Sequence, residues 1–312
     1  MSRAGRRITC ITGGVGGAKL VLGLQQVLPP GNITAIVNTG DDFRHLGFWV
    51  SPDIDTLLYT LSGKSNVAQG WGREGESWAF MAALRELGGE DWFKLGDGDL
   101  ALHVLRSLAL ASGQTLSAIT GGFARRWGIG VTVLPMSDDS IATVVNTEEG
   151  ELPFQRYFVE RRCEPRVSAI RFDGASRASP APGVVEAIRG ADMVLIAPSN
   201  PFLSVDPILA IPAIRIALEG RSAPIVAVSP LVGGRAVKGP TAKLMKELGI
   251  SVHNDSIAAH YEGLVDGLLI DSGDGCNSEA IRIARTSTLM NSMADKARVA
   301  RAAMQLAEEL AT

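Results

Sequence analysis

The stretch that decides the fold runs from Ile8 to Leu20 and has the sequence ITCITGGVGGAKL. Its first five residues, Ile8–Thr12, are apolar or β-branched, as in a buried strand, and the glycines from Gly13 to Gly17 predict a turn. Ala18–Val27 has the apolar spacing of a helix, and Ile33–Val37 is the next predicted strand. The chain therefore opens with a βαβ unit.

Short apolar strands with helical patterns between them return in the last third of the chain. They are predicted at Met193–Ala197, Ile225–Val228 and Leu268–Ile270, and a polar or glycine-rich loop follows each. Strands that alternate with helices in this way form parallel sheets covered on both faces. We therefore predict an α/β fold with a Rossmann-like, doubly wound parallel sheet.

The middle of the chain has a different pattern, because helices and strands no longer alternate. Three consecutive helices are predicted, at Glu76–Leu87, Ala101–Leu110 and Leu116–Trp127. Antiparallel strands with a hairpin turn at Glu149 and Gly150 are predicted next, at Val131–Leu134, Ile141–Asn146, Leu152–Glu160 and Val167–Phe172. This predicts a Rossmann-like core at residues 1–63 and 181–312, interrupted by an inserted helical and antiparallel β lobe at residues 64–180.

Composition excludes several classes of partner. The formal net charge of -3 provides no excess of basic residues for sequence-independent nucleic-acid binding. The apolar run after the basic start is interrupted at Gly13 and Gly14, which is typical of neither a signal peptide nor a membrane span. Because Cys10, Cys163 and Cys276 lack the paired spacing of a zinc site, we expect reduced thiols in a cytoplasmic protein.

The glycine turn between the first strand and the first helix is a candidate phosphate site. Backbone N–H groups at a helix start and the helix dipole attract phosphate, and glycine lets the phosphate approach closely. The candidate residues are Gly13, Gly14, Gly16 and Gly17, followed by Lys19. Their spacing differs from the strict dinucleotide fingerprint and from a Walker loop. A tight structural turn is the alternative explanation.

Two acidic segments follow. Asn38–Asp42 comes directly after the second strand, at the edge where α/β folds bind ligands, and carboxylates there can hold Mg²⁺. Ser51–Asp55 is typical of a helix start, with Ser51 as N-cap and Pro52 at the first helical position. An acidic turn and helix capping explain the two segments separately. A connection that folds back would instead place four carboxylates around one ion.

Later polar segments supply further candidates. Lys94 precedes a helix start at which Asp97 or Asp99 is a predicted cap, and His103 is interpreted as a packed or surface residue rather than a base. Small residues after buried strands suit close contact with a ligand, and a lysine among them can meet a phosphate. These later candidates are Ser199, Asn200, Ser229, Gly233, Gly234 and Lys238.

Taken together, these segments resemble the 2-phospho-L-lactate transferase family of coenzyme F-420 biosynthesis, from the first strand to about Met290. The matching stretches follow the family's order and spacing, and they are ITGGVGGAKL, VNTGDDF, SPDIDTLLYTLSG, GWGREGESW, FKLGDGDLALH, LPMSDD, LPFQRYFVERRCEP, APSNPF, VSPLVGG and VKGPTAK. Gly98 departs from the pattern, since arginine is frequent there, and Ser287 stands where aspartate is usual. These departures bear on the choice of donor.

The resemblance implies an Mg²⁺-dependent transferase. Members of the family move a phosphoester group from a guanylyl-activated donor to the terminal ribityl hydroxyl of 7,8-didemethyl-8-hydroxy-5-deazariboflavin (Fo), and GMP is released. The donated acid is phospholactate, phosphoenolpyruvate or phosphoglycerate. The resemblance also implies a homodimer, and we expect the inserted lobe to contribute to the acceptor site.

Site roles follow from the same resemblance. Asp55 and Lys94 match positions that contact Fo, and Asp42 and Asp53 are the candidate metal ligands. Asp55 and Asp42 are the candidate catalytic residues, with Asp55 orienting the acceptor hydroxyl or accepting its proton. The glycine turn and the later serine, asparagine and glycine loops would hold the guanosine nucleotide.

Two other functions share parts of this pattern. A non-catalytic regulator of the same superfamily, which binds nucleotide sugars, shares the fold and the glycine-rich start. The SPDIDT stretch, the VSPLVGG loop and Lys94 with LGDGD favour the transferase. A nicotinamide dehydrogenase shares the βαβ opening, but the glycine spacing differs and no acidic ribose ligand ends the second strand in the expected context.

Overall fold

A computed structural model describes residues 5–237 and 239–311. Seven parallel strands form its central sheet, and they are β1 (Ile8–Thr12), β2 (Ile33–Val37), β5 (Thr132–Pro135), β9 (Met193–Ile196), β10 (Ile225–Val228), β13 (Gly267–Asp271) and β14 (Arg282–Thr286). Their order across the sheet is β14-β13-β10-β9-β1-β2-β5. The predicted doubly wound parallel sheet is therefore confirmed.

The remaining strands form three small antiparallel sheets. They are the hairpin of β3 (Phe43–His45) and β4 (Phe48–Val50), the three-stranded sheet of β6 (Ala142–Thr147), β7 (Gly150–Pro153) and β8 (Val167–Asp173), and the hairpin of β11 (Leu231–Val232) and β12 (Arg235–Ala236). The α-helices are α1 (Gly14–Gln25), α2 (Pro52–Leu61), α3 (Ala79–Glu86), α4 (Asp97–Ala111), α5 (Leu116–Arg126), α6 (Val184–Arg189), α7 (Asp206–Leu209), α8 (Pro212–Glu219), α9 (Thr241–Glu247), α10 (Asn254–His260) and α11 (Met293–Leu310).

Helices cover both faces of the central sheet because its inner strands are apolar on both sides. On one face, Ile8 and Cys10 of β1 pack in a core shared with α1, α2, α5 and α11. On the other face, Ile11 packs in a core shared with α6, α8 and α10. The result is a three-layer arrangement, with the sheet between two helical layers.

The carboxyl end of β1 is the point at which the connections diverge. β1 pairs with β2 on one side and with β9 on the other. In an open α/β sheet, a ligand-binding crevice forms at such a reversal of strand order. The loops after β1, β2 and β9 meet at this edge, and they carry the glycine turn, Asp42 and Ser199.

Three element predictions are wrong. Helix α1 begins at Gly14 rather than at Ala18, so most of the predicted turn is the first turn of the helix. Close packing at this helix start, described below, selects glycine in spite of its low helix propensity. The predicted antiparallel strand Val131–Leu134 is β5, which lies parallel to β2 at the edge of the central sheet. Residues 64–180 thus supply one strand of that sheet, and the division into core and lobe stays a prediction.

The second half of the predicted strand Leu152–Glu160 is also wrong. Strand β7 ends at Pro153, and Arg156–Glu160 forms a short π-helix. Tyr157 of this π-helix is fully buried in a small core with Phe154 and Val145. Burial of this aromatic side chain, rather than strand periodicity, determines the local backbone.

No single helix among the described residues is long and apolar enough to cross a membrane. Two helical segments, Pro201–Leu209 and Pro212–Glu219, are long and apolar enough only when they are counted together, and the chain bends by 88° between them.

The contact between α1 and α11 generates a stability prediction. A Cβ atom on Gly23 would lie 2.3 Å from the backbone oxygen of Lys296, so Gly23→Ala should lower the free energy of unfolding by about 1–3 kcal/mol through overpacking. Gly122→Ala in α5 is the matched control, because the nearest atom is Nη1 of the flexible Arg126 at 4.0 Å. The control should raise stability by up to about 1 kcal/mol. Urea unfolding that ranks the two variants in the reverse order would contradict the close packing.

Candidate functional site

The two acidic segments come together because β3 and β4 turn the chain back. Leu46 and Gly47 make the turn in left-handed conformations, with φ of 51° and 83°. Trp49 Nε1 donates to Asp42 Oδ2 at 3.1 Å, and Ser51 Oγ donates to the same oxygen at 2.6 Å. Ser51 thus stands at the predicted N-cap position of α2, but its side chain binds Asp42 instead of capping the helix.

Asp53 joins the start of α2 to the glycine turn. Its Oδ1 accepts a hydrogen bond from Gly14 N at 2.7 Å, and its Oδ2 accepts one from Asn38 Nδ2 at 3.0 Å. Asp53 is buried. The acidic segment and the glycine turn, which the sequence presents as separate candidates, therefore form one continuous site.

The charge partner of Asp55 is Arg106, which the sequence analysis does not identify. Arg106 is fully buried. Its Nη1 donates to Asp55 Oδ2 at 3.1 Å, and its Nη2 makes a short hydrogen bond to Asp55 Oδ1. His103 Nδ1 lies 3.7 Å from Asp55 Oδ2, and His103 Nε2 lies 3.3 Å from Asp99 Oδ2. Tyr59 Oη donates to the other oxygen of Asp99.

The spacing of the polar residues in α4 is the sequence signal that predicts this cluster. Asp99, His103 and Arg106 are spaced i, i+4 and i+7, so they share one face of the helix. Asp55 and Tyr59 are spaced i and i+4 and share the facing side of α2. Polar residues at such spacing in otherwise apolar helices predict a buried polar contact between the two helices.

Burial raises the pKa of three acids at this corner. We call Asp41, Asp42, Asp53 and Asp55 the acidic corner. Burial raises the pKa of Asp42 to about 8 and that of Asp53 to about 6. Burial, assisted by the Asp53 carboxylate, raises the pKa of Asp41 well above its ordinary value.

Arg106 compensates only part of this negative charge. Burial opposes its charged form, but the carboxylates of Asp55 and Asp42 outweigh that effect, and the pKa of Arg106 is raised. One guanidinium therefore faces several carboxyl groups in a region with little solvent. Such an imbalance favours the binding of a further cation.

The acidic corner has oxygen atoms suited to Mg²⁺. Asp41 Oδ1 and Asp42 Oδ1 are buried, and neither has a hydrogen-bond donor among the described residues. Mg²⁺ is commonly held by one or two carboxylates together with substrate phosphates and water. The two carboxylate oxygens without hydrogen bonds are therefore suited to bind Mg²⁺.

A second group of possible metal ligands lies deeper between α2 and α4. Asp55, Asp99 and His103 have ligand atoms within 4.8 Å of one another. Arg106 already binds both oxygens of Asp55, so a metal ion there would meet the guanidinium charge. A histidine ligand is also more typical of zinc or iron than of Mg²⁺.

Close packing explains two glycines of the predicted phosphate turn. A Cβ atom on Gly16 would lie 2.5 Å from Pro198 O, and one on Gly17 would lie 2.1 Å from Thr12 Oγ1. Any side chain at these positions would push α1 away from the loops after β1 and β9. The alternative interpretation of the glycines as structural is therefore correct for part of the turn.

The first two N–H groups of the turn are engaged within the protein, and the next two are suited to an anion. Gly13 N donates to Ser199 Oγ at 3.3 Å and Gly14 N donates to Asp53. A helix leaves its first N–H groups without intrahelical acceptors, and those of Val15 and Gly16 are suited to phosphate. Gly14 has φ of 62°, and nothing lies within 4 Å of the position that its Cβ atom would take. This side of the turn is open.

Two predicted residues after β9 lie beside the turn. Ser199 Oγ donates to Gly13 O at 2.7 Å. Asn200 Oδ1 accepts a hydrogen bond from Phe202 N at 3.0 Å. Asn200 Nδ2 is buried and has no acceptor among residues 5–237 and 239–311. The structure therefore brings the loops after β1 and β9 together as one crevice.

The groups predicted after β10 are engaged within the protein. Ser229 Oγ donates to Asn254 Oδ1 at 2.6 Å. Gly233 and Gly234 form the turn between β11 and β12, and their N–H groups donate to the two oxygens of Asp274 at 3.2 and 3.1 Å. A nucleotide at this turn would have to replace the Asp274 carboxylate.

The three predicted lysines have different positions. Lys19 is half-buried on α1, and Lys94 is exposed in the loop before α4, where it lines a shallow cleft with Asp99. Lys238 lies outside the described residues. Asp97, a predicted cap of α4, instead caps α3, because its carboxylate accepts hydrogen bonds from the N–H groups of Ala79 and Phe80, both at 3.0 Å.

The α/β proteins of the class that binds phosphorylated ligands have a helix start at a strand-order reversal, and this chain has the same arrangement beside its buried carboxylates. Residues 8–310 match the family 2-phospho-L-lactate transferase CofD. The chain therefore belongs to this family of transferases.

Similar proteins extend over nearly the whole chain. A phosphoenolpyruvate transferase of Streptomyces griseus subsp. griseus is 42% identical over 315 residues, which cover 97% of this chain and 99% of that protein. A phosphoenolpyruvate transferase of Mycolicibacterium smegmatis is 37% identical over 322 residues, which cover 96% and 98%. A crystal structure of a UPF0052-family protein from Bacillus halodurans has a TM-score of 0.65 at 19% identity, covering 96% of this chain and 99% of that chain. The last similarity supports the fold alone.

The raised pKa of Asp42 predicts a pH-dependent stability. The folded protein retains a proton that the unfolded chain releases, from about pH 4 to a folded pKa of about 8. The free energy of unfolding should therefore fall as pH rises through this window, by on the order of 1 kcal/mol per pH unit. Urea unfolding of metal-free protein should show the fall, and Asp42→Asn should make it shallower, because the raised pKa values of Asp41 and Asp53 still contribute. Equal stability of the native protein at both ends of the window would contradict the assignment.

The Asp55 and Arg106 pair predicts a strong coupling. Asp55→Asn leaves a buried guanidinium without its carboxylate, and Arg106→Met leaves a buried carboxylate, so each should cost about 3–5 kcal/mol of unfolding free energy. The double variant Asp55→Asn with Arg106→Met contains neither charge and should recover most of that loss. A double-mutant cycle by chemical denaturation measures the coupling. Additive losses would show that the pair is not formed.

Proposed function

We propose that this protein transfers the phosphoenolpyruvyl group of guanylylated phosphoenolpyruvate to the terminal ribityl hydroxyl of Fo, with release of GMP, in coenzyme F-420 biosynthesis. The family match over residues 8–310 carries the reaction class. Among the three acids that the family transfers, the names of the relatives from Streptomyces griseus and Mycolicibacterium smegmatis favour phosphoenolpyruvate.

The nucleotide half of the donor fits the crevice between β1 and β9. The N–H groups of Val15 and Gly16 suit one of its phosphates. Asn200 Nδ2 offers a further donor from the facing loop. Ser199 binds both backbone groups of Gly13, so it holds the turn in place for such a ligand.

Asp42 and Asp53 would hold Mg²⁺ together with the diphosphate of the donor. Asp53 binds Gly14 N, and this contact with the glycine turn supports a metal site next to the proposed phosphate site. When bound, the ion would neutralise negative charge on the diphosphate.

Asp55 fits the role of orienting the acceptor hydroxyl. A carboxylate has about four lone-pair positions, so Asp55 can accept a hydrogen bond from the hydroxyl while it binds Arg106. The hydroxyl oxygen forms a bond to the phosphorus of the phosphoenolpyruvyl group, the bond from that phosphorus to the GMP oxygen breaks, and the proton passes to a carboxylate of the acidic corner. Phosphoryl transfer depends mainly on positioning and charge stabilisation, which a carboxylate fixed by Arg106 provides.

The proposed reaction predicts a donor-dependent assay. The protein with Mg²⁺, Fo and guanylylated phosphoenolpyruvate should yield a phosphorylated deazaflavin and GMP in equal amounts, as measured by chromatography and mass spectrometry. Guanylylated phospholactate and phosphoglycerate should react more slowly. Absence of product with all three donors, together with tight binding of a nucleotide sugar, would favour the binding regulator instead.

The role of Asp55 predicts a selective loss of turnover. Because Asp55→Asn alone is predicted to lower the free energy of unfolding, the variant to assay is Asp55→Asn with Arg106→Met, which is expected to fold. It should lose at least about 100-fold in kcat, as for removal of a group that acts on the reacting proton, while GDP affinity measured by calorimetry changes little. Asp173→Asn, at an exposed acid on β8, is the control. Native turnover in a stable double variant would remove Asp55 from the reaction.

A further inference from the structure

The turn between β11 and β12 has two backbone N–H groups that the hairpin does not use. Val232 pairs with Arg235 across a two-residue loop, and the loop residues Gly233 and Gly234 have φ of 60° and 66°. A tight hairpin turn of this kind requires left-handed conformations at both central residues, which explains the two glycines. Successive N–H groups in such a turn form a concave site for an anion. We call Gly233 and Gly234 the hairpin nest.

A carboxylate of the protein occupies the hairpin nest. Asp274 lies in the loop after β13, and its Oδ2 accepts a hydrogen bond from Gly233 N at 3.2 Å. Its Oδ1 accepts a hydrogen bond from Gly234 N at 3.1 Å. Two oxygens of a phosphate can accept a pair of hydrogen bonds in the same way. The Asp274 side chain therefore stands where an external anion would bind.

The hairpin nest and Asp274 both lie at the edge of the sheet where α/β folds bind ligands. Strand β10 runs parallel to β9 on one side and to β13 on the other. The nest follows β10 and Asp274 follows β13, so both come after the carboxyl ends of neighbouring strands. Ser199, beside the glycine turn, follows β9 at the same edge. The nest is therefore on the side of the sheet that carries the proposed nucleotide crevice.

The contact between Asp274 and the hairpin nest is accessible to solvent. Gly233 and Gly234 are exposed, and nothing lies within 4 Å of the positions that their Cβ atoms would take. Both hydrogen bonds are longer than the usual N–H to oxygen length of about 2.9 Å. By comparison, Gly14 N lies 2.7 Å from Asp53 Oδ1. An external anion can therefore reach the nest without unfolding of the hairpin.

Positive charge beside the hairpin nest favours a phosphate over a carboxylate. Arg235 follows the nest directly and is exposed. Arg285 Nε donates to the backbone oxygen of Asp274 at 3.4 Å. Among residues 5–237 and 239–311, no carboxylate lies at ion-pair distance from either guanidinium. A terminal phosphate carries more negative charge than a carboxylate, so these cations favour the exchange of one for the other.

We propose that Asp274 is an internal substitute for phosphate that closes the hairpin nest, and that a phosphate group of the nucleotide displaces its carboxylate. The inference rests on the proposed function, because the guanylylated donor supplies that phosphate. Each binding event then includes the loss of the Asp274 contact. The apparent affinity for the nucleotide is lowered by the fraction of the protein in which the nest is closed. Asp274 is thus an autoinhibitory residue that acts through competition.

Two anchors limit the part of the loop that the displacement releases. Asp271 Oδ2 accepts a hydrogen bond from Thr288 N at 2.8 Å. Asn277 N donates to Asp255 Oδ1 at 2.7 Å. Neither anchor uses the hairpin nest. Displacement of the carboxylate should therefore release residues 272–276 and leave the rest of the loop in place.

Removing the carboxylate provides the first test. Asp274→Ala has no internal competitor, so the full-length protein should bind GDP at least about threefold more tightly by calorimetry, as for a native nest that is open at most about a third of the time. Inorganic pyrophosphate should gain affinity in the same way, because it has phosphates but no base. Guanosine, which has no phosphate, should bind the native protein and Asp274→Ala equally. Glu279→Gln, at an exposed acid of the same loop, is the control for the lost charge and should bind GDP and pyrophosphate like the native protein.

Hydrogen exchange of the loop provides the second test. When GDP binds to the native protein, the amides of residues 272–276 should exchange faster, because their contact with the hairpin nest is lost. Mass spectrometry of overlapping fragments measures this change. In Asp274→Ala, exchange there should be fast without GDP and should change little when GDP binds. Unchanged or slower exchange in the native protein with bound GDP would show that the carboxylate stays in place, and the proposal would fail.

The outcomes separate this contact from the reaction. Equal affinities of the native protein and Asp274→Ala for GDP and pyrophosphate, including no binding by either protein, would overturn the proposal, and the transferase would stand if product still forms. A gain in pyrophosphate affinity in Asp274→Ala, in a protein that forms no product with any donor, would support the contact and remove the reaction. If Glu279→Gln gains as much affinity as Asp274→Ala, general charge repulsion explains the gain and the proposal is wrong.

Discussion

The buried pair of Asp55 and Arg106 holds α2 against α4 at the edge of the sheet where α/β folds bind ligands. Two charges leave water here, and the cost is offset only because the guanidinium binds both carboxylate oxygens. The same guanidinium also faces Asp42, which it compensates in part. Arg106 therefore neutralises Asp55 and part of the charge of Asp42. The remaining negative charge of the acidic corner attracts a cation.

The glycine turn is tied to this corner through Asp53. Its carboxylate binds Gly14 N and the side chain of Asn38, so one residue of α2 contacts the loops after β1 and β2. Gly16, at the same helix start, approaches the backbone of Pro198 after β9. Three strands and α2 thus determine the shape of one crevice. A displacement of α2 would alter the anion site and the acidic corner together.

The sequence predicts a feature well when that feature depends on neighbouring residues, and poorly when it depends on residues that are distant along the chain. Strands β1, β2 and β10 have the predicted bounds because a short, uniformly apolar run between turn residues is a local property. Strand β14, RIART, lies at the edge of the sheet, carries arginines at its first and fourth positions and lacks that pattern. Strand β5 is apolar, but its direction depends on the path of four helices before it, which no local periodicity records.

The same distinction applies to the site. The predicted carboxylates Asp42, Asp53 and Asp55 do lie in one corner, because the motifs mark positions at strand ends. The contacts that each group makes depend on residues that are distant in the sequence. Gly233 and Gly234 present N–H groups to Asp274 instead of open space, a pairing across 40 residues or more that the loop's composition does not contain.

The contacts between α2 and α4 also relate the two ends of the proposed acceptor site. Asp55 pairs with Arg106 and Tyr59 pairs with Asp99, so the helices run antiparallel, and the first turn of α4 lies away from the acidic corner. Lys94 precedes that first turn, at the end of α4 opposite the acidic corner. An acceptor that contacts both Asp55 and Lys94, as the family resemblance implies, must be elongated, with its reacting hydroxyl far from its rings. The distance between the two ends of the site would then select acceptors by their length, and no further residue would be needed for this selection.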